Sequence, residues 1–131
     1  MTIYYQLSSI PKIDLRLVRG DSFRKKWDLT YCSTPFPFFD EQQVPLWTAT
    51  LEIREEVEDL NPAFTFSSAT DEVFMVTELV EQVEVSSYGI LLTGAQTVTF
   101  PLGRSFYLIR FNRIADDWLF KIQNGNFEVV P

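Results

Sequence analysis

The side chains able to do chemistry in this 131-residue chain are mostly carboxylates. Histidine is absent and Cys32 is the single cysteine, which removes the Ser-His-Asp and Cys-His relays and the commonest zinc ligand. One sulfur cannot build a thiolate cage either. Acid chemistry remains in a few places. Asp71 or Glu72, set against Glu55 or Glu56, are the carboxylates that could cleave a glycosidic bond, one as proton donor and the other as base or nucleophile. Acids of this kind normally decorate exposed strand ends, and that is the preferred reading. The run from Glu55 to Asp59 and the pair Asp116-Asp117 offer the hard oxygens calcium takes, yet their spacing follows no EF-hand loop. Solvated turns explain them better. No P-loop and no G-x-G-x-x-G fingerprint accompanies them. The expectation is a non-enzymatic protein without metal or cofactor.

These acids sit on a chain punctuated into short alternating segments. Ile13, Leu15 and Leu17 alternate with Lys12, Asp14 and Arg16, a strand with one wet face. Gly20-Asp21 supplies a turn, and Phe23, Trp27 and Leu29 then oppose Arg24, Lys26 and Asp28. Trp47, Ala49, Leu51 and Ile53 alternate with Thr48, Thr50, Glu52 and Arg54. Phe64 and Phe66 open another strand. Residues 72–85 can be scanned as a helix, but their Val, Phe and Thr favour strand. Residues 89–93 read as a short strand, and 94–103 as a connection with room for one helical or 3₁₀ turn. Residues 106–113 pair with 118–123 as a hairpin. Gly125 is expected to turn the chain into a last strand at 127–129, with Val129-Val130 forming an exposed sheet edge stopped by Pro131. The prediction is all-β: one β-sandwich of about seven to nine short, mostly antiparallel strands over residues 12–131, preceded by an N-terminal arm at 1–11.

Composition narrows the partners. With 46% hydrophobic residues and 12 phenylalanines the core is aromatic. A formal charge of −7 repels phosphate backbones and anionic lipid, so neither nucleic acid nor a membrane is an expected partner. No run of about 18 apolar residues is present to span a bilayer, and the first residues lack the pattern of a secretory signal. Synthesis in the cytoplasm without Sec export is the expectation, with Cys32 as a small apolar filler. Lys12, Arg16, Arg19, Arg24, Lys25 and Lys26 precede acids concentrated between Asp40 and Glu84. That division gives two solvated faces, or charge complementarity between neighbouring copies.

Three places carry binding potential. Phe36, Phe38 and Phe39 lie on a Pro-rich loop, where they either anchor a partner or fold back as a lid on the core. The strand at 106–111 is apolar on both sides, Tyr107, Ile109 and Phe111 on one and Phe106 and Leu108 on the other. The second face calls for a cover, either the arm with Ile3, Tyr4 and Tyr5 or a neighbouring subunit. Trp118 beside Asp116 and Asp117 is the place where a glycan could stack, the alternative being a carbohydrate- or receptor-binding module.

Five further signals follow one another along the chain: Gly20-Asp-Ser-Phe23, Trp47-Thr-Ala-Thr-Leu-Glu-Ile-Arg54, Gly89-Ile-Leu-Leu-Thr-Gly-Ala-Gln-Thr97, Phe100-Pro-Leu-Gly-Arg-Ser-Phe-Tyr107 and Gly125-Asn-Phe-Glu-Val-Val-Pro131. In these signals and their order the chain resembles a family of small bacteriophage tail and baseplate proteins. The chain departs from the pattern between Tyr31 and Pro45 and between Leu60 and Val85. The resemblance implies an immunoglobulin-like sandwich serving as a virion component, a tail or baseplate adaptor that docks fibres or other tail proteins, in repeated copies around a symmetric assembly.

Overall fold

A computed structural model describes residues 11–31 and 33–131. Cys32 and the arm residues Ile3, Tyr4 and Tyr5 lie outside the described residues. The period-2 segments become strands: β1 (Leu15–Val18), β2 (Phe23–Asp28), β5 (Trp47–Arg54), β6 (Phe64–Ser67), β7 (Val73–Val80), β8 (Val83–Leu92), β9 (Gly103–Arg113) and β10 (Trp118–Val130). A small ribbon, β3 (Thr30–Tyr31) with β4 (Thr34–Pro35), sits between β2 and β5. One 3₁₀ turn (Ser68–Thr70) and one helical turn, α1 (Gly94–Thr97), complete the described elements. The helical turn falls where a single turn was expected, because Thr93 and Gln96 form a reciprocal capping box that satisfies its first amides.

Two sheets face each other. One runs β1-β10-β9-β5-β6 and the other β2-β8-β7, and the pairings within them are antiparallel except β1 with β10, which is parallel. Counting from β2, the strands fall into the B-E-D and G-F-C-C′ sheets of an immunoglobulin-like sandwich, with β1 docked beside the last strand. Residues 72–85 are strand and hairpin, as their β-branched content demands. The inner faces supply the core: Trp47, Ala49, Leu51, Ile53, Tyr107, Ile109, Phe111, Phe127 and Val129 on one side, Val73, Tyr88, Ile90 and Leu92 on the other. Tyr88 and Phe111 meet edge to face across the gap at 5.5 Å, a favoured quadrupole geometry.

A polar chain crosses this apolar interior. Tyr88 Oη donates to Gln123 Oε1 at 2.5 Å, Gln123 Nε2 donates to Tyr107 Oη at 2.8 Å, and Tyr107 Oη donates to the Ile13 carbonyl at 2.5 Å. Burial pushes the Tyr107 hydroxyl up to about 12, against the opposing pull of the Gln123 hydrogen bond. Burial raises the Tyr88 hydroxyl well above its ordinary value. Gln123 enters the core because β10 slips register between Lys121 and Gln123, so that Ile122 and Gln123 are both buried.

Two expectations are corrected here. Gly125 does not turn the chain; it lies within the continuous 13-residue β10. Its missing side chain is needed for close approach, since a Cβ there would collide with the Ile13 carbonyl that Tyr107 bonds. Val129 and Val130 are not an edge either. They are covered on one side by β1, Val130 opposite Val18, and Val129 pairs with Gly103 of β9 on the other. The edges of the larger sheet are β1 and β6, those of the smaller β2 and β7.

Candidate binding surface

On β9, Ser105, Tyr107, Ile109 and Phe111 are buried while Phe106, Leu108, Arg110 and Asn112 are half-buried on the outer face. Strand register decides what surrounds that second row. Arg54 and Glu52 of β5 stand opposite Phe106 and Leu108. Asn126, Asn124 and Lys121 of β10 stand opposite Phe106, Leu108 and Arg110. The loop after β5 brings Val57, Asp59 and Leu60 over the face, and Lys12 closes the side by β1, enclosing a groove of about 610 Å³. The loop's shape is local chemistry: Arg54 Nε donates to the Asp59 carbonyl at 2.9 Å, and the Asp59 carboxylate accepts from the Glu56 amide at 3.1 Å.

The groove combines an apolar floor with cations. Phe106 and Leu108 provide the floor, and Leu60, 92% exposed, overhangs it. Glu52 bridges two of the cations, Arg54 at 2.9 Å and Arg110 at 3.3 Å. Lys121 stands directly across the ladder from Arg110, a like-charge pairing that Glu52 offsets on the Arg110 side. Arg110 Nε is buried without a hydrogen-bond partner. Lys12 and Lys121 form no ion pair among the described residues. In a protein of net charge −7, this face is locally positive. An acidic, apolar segment of polypeptide matches its chemistry.

The structure distributes the other candidate residues as follows. Phe36 and Phe38 are 3% and 0% exposed, which corrects the expectation that they anchor a partner. The loop that carries them is stitched to the fold: the Phe36 amide donates to the Leu29 carbonyl and the Leu46 amide to the Phe38 carbonyl. Their rings pack on one another at 5.0 Å, on Trp47 at 5.4 Å and on Phe111 at 5.7 Å, forming the lid at one end of the core. Phe39 is half-buried, its ring in a T-shaped contact with that of Phe38 at 6.5 Å.

At the tip of the β9–β10 hairpin, Trp118 is 57% exposed. The Asp116 carboxylate beside it accepts from Arg113 Nε at 2.9 Å and Nη2 at 2.6 Å. That bidentate bond holds the Asp116 carboxyl below the usual carboxylate range. It also leaves Asp117, in left-handed backbone at φ 59°, as the acid beside Trp118 not engaged with Arg113.

Glu55, Glu56, Asp71 and Glu72 line no part of the groove. Glu72 instead accepts from Gln96 Nε2 at 3.4 Å. Among the described residues no group of three or more His, Cys, Asp or Glu side chains is placed to hold a metal ion.

Sequence reasoning found Phe106 and Leu108 but missed the ring of Arg54, Arg110, Lys121 and Leu60 around them. Alternation alone puts Arg54 and Arg110 on outer faces. Bringing them together takes the cross-strand register, which no single segment reveals. The chain matches no protein-family model and no curated protein.

Proposed function

We propose that this protein is a non-enzymatic structural component of a phage virion, a tail or baseplate subunit that holds neighbouring tail proteins through the outer face of its five-stranded sheet. The observation that carries the docking mode is the groove: an apolar floor of Phe106 and Leu108 ringed by Arg54, Arg110 and Lys121 on the face where a lone sandwich would be wet. Exposed apolar surface with a polar rim is the makeup of a protein-binding patch. The virion setting draws its support from the ordered sequence signals between Gly20 and Pro131. Repeated copies around the tail axis fit the general preference of assemblies for closed symmetry.

The test is peptide mass spectrometry of density-purified particles of the phage whose genome carries the gene, with the copy number measured against the main tail-tube protein. The expected result is a small fixed ratio, reduced in particles made with Leu108→Glu. Absence from purified particles would overturn the virion reading.

A further inference from the structure

The β7–β8 hairpin extends beyond its sheet. β2 pairs with β8 only from Ser87 to Leu92, so from Glu78 to Val85 no third strand pairs with the ribbon, and Glu84 lines a cleft that it shares with Phe36 to Phe39 of the Phe-rich loop. Its turn has left-handed backbone at Glu81 (φ 51°) and Gln82 (φ 67°), the paired positive φ of a type I′ turn whose twist suits the flanking strands. The ribbon carries Leu79, Val80 and Val83 at 76, 47 and 63% exposure, and Glu78, Glu81 and Glu84 are interleaved with them. Of these acids, Glu78 is paired with Lys26 at 3.0 Å. A two-stranded ribbon gains little from exposing three aliphatic side chains to water.

Ribbon and groove are complements. One is a protruding, acidic, aliphatic element; the other is a recess with an apolar floor and the cations Arg54, Arg110, Lys121 and Lys12. They cannot meet within one molecule, because the ribbon belongs to the smaller sheet and the groove lies on the outer face of the larger one, with the core between them. We propose that the β7–β8 hairpin of one copy seats in the groove of the next, with Val80 and Val83, cross-strand partners on one face of the ribbon, against Phe106 and Leu108, Leu79 on the other face toward Leu60, and Glu81 at the turn beside Lys121 and Arg110. The partner is a second copy of this chain; the inference rests on the groove being a docking surface. Different patches meet, so the contact is head-to-tail. It closes into a ring where the rotation permits and otherwise extends as a filament.

Sedimentation velocity on the full chain tests this, from about 10 μM to on the order of 1 mM, because a contact at the small end of specific interfaces is weak. The expected result is concentration-dependent association that weakens as salt screens the charge pairs. Val83→Asp on the ribbon and Lys121→Glu in the groove each give a monomer with unchanged Tm. Mixed one to one, they form a dimer and nothing larger, since only the intact ribbon of one fits the intact groove of the other. Glu81→Lys combined with Lys121→Glu restores association.

A wild-type chain that stays monomeric, or a mixture that does so, would overturn the proposal. So would association that survives both single changes. Association insensitive to Val83→Asp but lost on removing residues 1–10 would give the groove to the N-terminal segment instead. Mass spectrometry of particles and sedimentation fail independently, so a negative result in one leaves the other reading intact.

Discussion

The Phe-rich loop and the β7–β8 hairpin are both apolar excursions from the sandwich, and they end in opposite environments. Phe36 and Phe38 are almost fully buried, whereas Leu79 and Val83 are mostly exposed. Hydrophobicity does not separate them; phenylalanine and leucine both prefer burial. The separating factor is backbone pairing. The loop gives its amides and carbonyls to Leu29 and Leu46, which lays its rings across the open end of the core. The hairpin satisfies its own backbone through eight residue pairings between β7 and β8, so its tip is free to stand away from the body. An apolar segment that needs partners for its backbone is drawn inward, and one that is self-paired can afford to remain outside.

The largest effect that would break this comparison is at the lid. Phe38→Ala removes a fully buried ring that contacts Phe36 and Phe111, and a loss of about 3–5 kcal/mol is expected in urea or thermal unfolding. A loss below about 1 kcal/mol would mean that the lid is loosely held.

Next is the polar chain beneath it. Tyr88→Phe leaves Gln123 Oε1 buried without its donor, at a cost of about 1–3 kcal/mol. The same hydroxyls set an alkaline limit. Both are raised above the unfolded value of about 10, so the protonated form is favoured in the folded state. Their contribution is complete below pH 10 and is lost as pH rises toward and through about 12 for Tyr107. Denaturant midpoints measured from pH 8 to pH 12 should be flat and then fall, and the fall should shrink in Tyr107→Phe.

The smallest effect belongs to the hairpin. Leu79→Ala should shift stability by no more than about 0.5 kcal/mol, since its side chain is mostly in water already. A loss comparable to that of Phe38→Ala would show that the ribbon packs on its own domain and would end the contrast between the two regions.

Much of the fold was readable from period-2 alternation, because one face of each long strand is buried. The run Trp47 to Arg54 alternates without exception in its burial. Gly125 reads as a turn in the sequence because glycine serves two purposes, turning a chain and letting two backbones touch, and only the position of Ile13 distinguishes them. The edge assigned to Val129-Val130 failed for a related reason. Parallel pairing of β1 with β10 joins residues more than a hundred positions apart, which local pattern cannot see. Of the candidate surface, Phe106 and Leu108 stand out as apolar residues on a face expected to be wet. The cations around them come from separate strands and required the register. Leu79, Val80 and Val83 gave no signal at all, since valine and leucine in a strand imply burial until the neighbouring strand proves too short to cover them.

The parallel ladder between β1 and β10 also governs how the protein bears a load. Leu15 to Val18 lie beside Phe127 to Val130 in the same direction. Tension applied at Pro11 and Pro131 therefore slides one strand along the other, and the bonds between them resist together because they lie across the line of pull. Tension across an antiparallel hairpin would open its bonds one at a time. A subunit tethered through its two ends would thus be stiff along its own chain direction, with a breaking force set by its unfolding rate. Single-molecule pulling should record a higher force through residues 11 and 131 than through the two strands of the β7–β8 hairpin.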